Sequence, residues 1–137
     1  MSVDVTLTTE LRLLTYTAFI CLVLWIPHVL AVIKVRGLGR VVGYPTGGTE
    51  DLPAWGQRAQ RAHMNLVENL APFAALVLVA HAIGVSNPAT VLGAQLFFYA
   101  RIAHFVVMFA GIPWLRTVAF AAGLIGNLMI LVQILYH

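Results

Sequence analysis

Four stretches of this 137-residue chain stay apolar over the length of a membrane crossing, with the polar residues gathered between them. A hydrocarbon core about 30 Å thick needs roughly 20 residues of helix at about 1.5 Å each. The pattern predicts helices at about 11–36, 58–84, 88–112 and 114–136, joined by a Gly-rich loop over about 37–57 (RGLGR, GYPTGG) and two short turns, GVSNP and GIPW. Turns that short force antiparallel neighbours. The expected fold is therefore an all-α membrane protein: a four-transmembrane-helix bundle of up-down topology, forming a single domain over residues 1–137. No internal repeat relates its halves.

Composition sharpens this. Only 9% of the residues are charged and 61% are hydrophobic, with a mean hydropathy of +0.90; soluble domains carry roughly 25% charged residues. A cleaved signal peptide is the competing reading of the first apolar segment. Its N-terminal flank is acidic, and no small-residue cleavage site follows, so the segment is expected to remain. The single Cys21 excludes an internal disulfide framework. With four spans, Lys34, Arg36, Arg40, Arg58, Arg61 and Arg116 fall on one side and Arg12 on the other. The positive-inside rule then sets both termini non-cytoplasmic and the 37–57 loop cytoplasmic. The basic excess belongs to topology and gives no support to nucleic-acid binding.

Ionisable groups at membrane depth are expensive and face bundle interiors or watery cavities. Glu68 in the second span and Arg101 in the third lie at the same expected depth, about 15 Å from the cytoplasmic end. In antiparallel helices the register that faces Glu68 with Arg101 also faces Asn65 with His104, and members three apart on one helix share a face. An ion pair between Glu68 and Arg101 fixing the helix register is one reading. Arg61, His63, Asn65, Asn69, His104 and Arg116 add more polar groups than one pair needs, all toward the same end. Such a cluster of cations and amides suits a small anion with several carboxylates.

These residues carry a resemblance. RAHMNLVENLAPF is similar to the second-helix signature of the MAPEG family, the membrane-associated proteins in eicosanoid and glutathione metabolism, which include the microsomal glutathione transferases. ARIAHFVVMFAGIPWLRTVAF resembles the segment of that family joining its third and fourth helices. The resemblance implies a homotrimer with glutathione as co-substrate, bound between subunits near the cytosolic face. It implies ligand contacts from Arg61, His63, Asn65, Glu68 and His104, and catalytic roles for Arg116, as stabiliser of the thiolate, and Thr117, as a hydroxyl beside it. The partners implied are a lipophilic small molecule and membrane lipid. The chain departs from the family pattern at Met64, where several members have arginine, at Leu66, in place of an acidic residue, and at Met108 and Phe120, where the eicosanoid enzymes have tyrosines.

The expected function is a glutathione-dependent membrane transferase or peroxidase acting on lipophilic electrophiles. Alternatives are a non-catalytic protein of the same fold binding lipid or a small anion, and a small four-helix transporter. No His, Cys and carboxylate set has metal-ligand spacing, so no metal is expected. His28 and His81 read as interfacial, Trp25, Trp55 and Trp114 as an aromatic belt. Gly123 and Gly126 with Ala119 and Ala122 form a small-residue stripe suited to close helix packing. Pro72 removes the amide that would bond the Glu68 carbonyl.

Overall fold

The computed structural model describes residues 6–44 and 47–137. Among them every regular element is a helix: α1 (Thr9–Val23), α2 (Ile26–Arg36), α3 (Leu38–Val42), α4 (Ala54–Ala82), α5 (Pro88–Ala110) and α6 (Pro113–Leu135). Four units are long and apolar enough to cross a membrane: Thr9–Arg36 (α1 and α2 together), α4, α5 and α6. Much of their apolar surface is outward, including Phe19, Leu22 and Leu30. A bundle solvated by acyl chains tolerates such a surface, whereas a water-soluble one does not.

The first span is broken rather than continuous. Pro27 has no N–H to bond the carbonyl of Val23, so the helix stops at Val23 and restarts at Ile26 with proline in its first turn. Thr8 caps α1 through its side-chain oxygen, which accepts the Leu11 N–H at 3.3 Å. α2 ends at Gly37, whose φ of 81° a side chain would resist. Beyond it, Arg36 reaches across the loop, donating from Nε to Asp51 at 2.7 Å, from Nη2 to the other Asp51 oxygen at 2.5 Å, and to the Gly48 carbonyl. The bidentate guanidinium holds the Asp51 carboxyl below its ordinary range.

α4 contributes the face on which the bundle closes. Phe73 stacks on Phe97 of α5 with centroids 4.0 Å apart, and both are fully buried with Val77, Ala94 and Ile130. α5 starts at a reciprocal cap in which the Asn87 side chain accepts from Ala89 and Thr90 while Thr90 accepts from the Asn87 amide. α5 and α6 then cross with almost no separation. A Cβ on Gly93 would lie 2.7 Å from the Gly126 carbonyl oxygen, and one on Gly126 would lie 2.5 Å from that of Gly93. The small-residue stripe thus serves close packing at Gly126, as its spacing suggests. Gly123 does something else.

Candidate functional site

Arg101, in the middle of α5, is only 4% exposed and has no carboxylate partner among the described residues. Its charge is met by a cage drawn from three helices. Nη1 donates to Oδ1 of Asn65 on α4 at 2.9 Å, and Nη2 to the Phe120 carbonyl on α6 at 3.3 Å. The guanidinium carbon lies 5.5 Å from the Phe97 ring centre and 5.3 Å from that of Phe120, within the range of cation–π attraction. Room for the group comes from Gly123, where a Cβ would fall 2.6 Å from Nη2. Nε makes no hydrogen bond.

The expected ion pair between Glu68 and Arg101 is therefore not formed. Asn65, not Glu68, is the α4 residue turned toward α5. Three residues of helix rotate a side chain by about 300°, leaving it about 60° off its neighbour's direction, and that offset carries Glu68 onto the outer face. There it joins Arg61, Met64 and Pro72, all exposed, while Ala62, Leu66 and Phe73 are buried. Asn65 shares a cavity lining with His104 but takes Arg101 as its hydrogen-bond partner, and the acid belongs to another stripe.

Asn65 and His104 border one cavity of about 200 Å³ with Met108, Arg116, Thr117 and Phe120. A second cavity of about 150 Å³ shares Met108 and Arg116 and adds Arg58, Arg61 and the α5–α6 turn. Three helices thus converge at this end of the bundle. α4 supplies Arg58, Arg61 and Asn65, α5 supplies His104 and Met108, and the first turns of α6 supply Arg116, Thr117 and Phe120. Pro113 starts α6 abruptly after Gly111, whose φ of 83° closes α5, so Arg116 and Thr117 stand where the chain has just turned back. Arg58 also clasps α5, donating to the Phe109 carbonyl at 2.9 Å.

The Asn65 amide is oriented by its surroundings. Its Oδ1 accepts from Arg101, and Asn69 donates to its backbone carbonyl at 2.8 Å. The bonds to Arg101 and Asn69 engage its oxygens and leave the amide nitrogen's two protons uncommitted among the described residues. Arg116 and Thr117 are exposed and His104 is buried, so one wall is open and the other packed.

His63 lies away from both cavities. Its Nε2 sits 3.2 Å from the Cys21 carbonyl, in the last turn of α1, where helix carbonyls lose their partners. It supports the break in the first span. Sequence pattern does not single out Arg58 as a cavity residue, although its three-residue spacing from Arg61 is the signal that would have found it. Gly123 carries no chemistry of its own, and only contact with Arg101 reveals its part.

The profile of the MAPEG family matches residues 14–136, nearly the whole chain, and the chain belongs to that family. It is a multi-pass integral membrane protein of the eicosanoid and glutathione metabolism family. No curated protein matches the sequence.

Proposed function

We propose that the protein is a glutathione-dependent membrane transferase or peroxidase acting on lipophilic electrophiles, with glutathione seated at the Asn65–Arg116 cavity. The observation that carries this reading is the convergence of Asn65, His104, Arg116 and Thr117, from three helices, on one cavity beside a basic rim. A thiol near pKa 8.5 is mostly protonated at neutral pH, and an adjacent guanidinium favours the thiolate. The thiol proton passes to water at the open wall of the cavity, Arg116 holds the sulfur as thiolate, and the Thr117 hydroxyl donates a hydrogen bond to it. The thiolate electron pair then forms the bond to carbon of an electrophile arriving from the lipid, and the leaving group departs with the displaced pair. Arg58 and Arg61 meet the carboxylates of the tripeptide, and the pre-aimed amide of Asn65 binds its backbone.

A homotrimer fits two features of the single chain. Cavities of about 200 and 150 Å³ fall below the range of about 300–1,000 Å³ usual for small-molecule sites. Glu68 is also exposed within a span, a position that acyl chains solvate poorly. A neighbouring subunit against the Arg61–Glu68 stripe would wall the cleft and give Glu68 the ammonium of glutathione to bind. In this arrangement the spans run up-down, both termini are non-cytoplasmic, and the loop end, with its basic residues, faces the cytosol.

The test is a titration of purified protein with glutathione, reading thiolate absorbance at neutral pH. Binding at millimolar concentration or tighter with a thiolate signal is expected, and Arg116→Ala should abolish the signal. Absence of binding in that range rejects the proposal. A second reading, a member of the fold that binds an anion without catalysis, draws on Met108 and Phe120, which line the cavity with no hydroxyl to offer; glutathione binding with no thiolate signal in the wild type would favour it.

A further inference from the structure

A polar cavity that the glutathione reading leaves unused lies at the other end of α4. This helix has 29 residues, about 43 Å of length, so the two sites are far apart. The cavity measures about 250 Å³ and sits between the start of α1 and the end of α4, lined by Thr6, Thr8, Glu10, His81, Gly84 and Ser86 among others.

Its central group is Glu10, in the first turn of α1 and only 4% exposed. Oε1 accepts hydroxyl bonds from Thr90 at 2.5 Å and Ser86 at 3.0 Å. Among the described residues, Oε2 is reached only by the same Ser86 hydroxyl, at 3.3 Å. One hydroxyl has one proton, so within the described residues Oε2 has no donor of its own. No Lys, Arg or His among the described residues lies within ion-pair distance of Glu10. The C-terminal end of α4 also borders the cavity, and a helix C-terminus favours positive charge. A buried carboxylate with spare acceptor capacity, facing an open volume beside that terminus, is built for a cation carrying N–H donors.

The donor set selects the kind of cation. A divalent metal needs several oxygen ligands of which more than one is usually anionic, and the described residues contain no group of three or more His, Cys, Asp or Glu side chains able to hold one. The volume is also several times the about 30 Å³ of one water, room for carbon as well as nitrogen. We propose that this cavity binds a protonated primary amine, whose N–H groups donate to Glu10 Oε2 and to the threonine hydroxyls. The amine is either a small soluble molecule or the ethanolamine headgroup of a membrane lipid, since both present the same ammonium.

The experiment uses the full chain in two arms. Delipidated protein in detergent is titrated calorimetrically with ethanolamine, and with choline and potassium chloride at matched ionic strength. In parallel, protein reconstituted into phosphatidylcholine nanodiscs with or without phosphatidylethanolamine is re-extracted and its retained lipid quantified. Ethanolamine binding, or selective retention of phosphatidylethanolamine, is expected in the wild type, with a loss of about tenfold or more in Glu10→Gln. A response in the first arm alone assigns a soluble amine, and one in the second alone a lipid headgroup. Choline or potassium binding as well as ethanolamine, no response in either arm, or an unchanged Glu10→Gln overturns the proposal. Should Glu10→Gln fail to fold, His81→Trp, which fills the mouth of the cavity from an exposed position, decides it: retained binding overturns the proposal and lost binding upholds it. Glutathione titration of the same samples reports on the distant site and keeps the two readings separate.

Discussion

Gly123→Ala tests whether the cage around Arg101 is an energetic unit that also prepares Asn65. The new methyl would stand 2.6 Å from Nη2 and 2.9 Å from Nε, about 0.8 Å short of ordinary contact at the first atom. The guanidinium is held by the Phe97 and Phe120 rings, the Phe120 carbonyl and Asn65, and the cavity of about 250 Å³ beside Arg101 is lined mainly by apolar side chains that offer a displaced charge no comparable partners. Hydrogen bonds from a charged group contribute about 1.5–3 kcal/mol each, and cation–π contacts about 0.5–2. Weakening this set by half outweighs the about 1 kcal/mol gained by replacing glycine with alanine in a helix. A net destabilisation of about 2 kcal/mol is expected. Equilibrium unfolding in mixed micelles measures it, alone and in an Arg101→Met background. With no guanidinium to displace, the penalty should vanish and the propensity gain remain. Glutathione affinity should fall in Gly123→Ala, since Asn65 loses the bond that aims it. A Gly123→Ala protein as stable as wild type, or an equal penalty in both backgrounds, would refute the cage as the source of these effects.

Three further outcomes follow from the same geometry. His63→Ala should cost about 1 kcal/mol through the lost bond to the Cys21 carbonyl, while leaving the glutathione dissociation constant unchanged; a large change in affinity would return His63 to the binding site. Met108→Tyr, placing a phenol on the cavity shared with Arg116, should tighten glutathione binding by about tenfold, read in the same titration. Because the Asp51 carboxyl titrates below its ordinary value of 3.8, its pairing with Arg36 is complete above that value and is lost as pH falls through the lower folded value. Amide protection in the loop around Asp51, taken relative to the intrinsic exchange rate at each pH, should accordingly be unchanged from pH 7 to 5 and fall in stronger acid, and Asp51→Asn should remove that acid step.

Hydropathy alone determined the number of spans and their approximate places, because a bilayer demands apolar length and nothing in that demand depends on which helix lies beside which. Motif order likewise pointed to the family and to Asn65, His104, Arg116 and Thr117 as neighbours. What it could not resolve was rotation. Asn65 and Glu68 lie about one turn apart on α4, and the sum of positions that sets Glu68 opposite Arg101 fixes depth along the helices and not which side chain is turned toward α5. Only packing decides which one faces inward, and here the stack of Phe73 on Phe97 and the burial of Ala62 and Leu66 turn Asn65 toward the guanidinium.

The same distinction separates Gly126 from Gly123. Both read as parts of one small-residue stripe, yet one meets a backbone and the other a charge. Glu10 shows it again, since its donors Ser86 and Thr90 are some eighty residues away in the chain and meet it only where α1 and α5 begin side by side. Periodicity and hydropathy are properties of a single helix and can be read along the chain. The partner of a buried polar group is a property of two or three helices at once, fixed by their relative rotation, and that rotation is set by side-chain shape across the core.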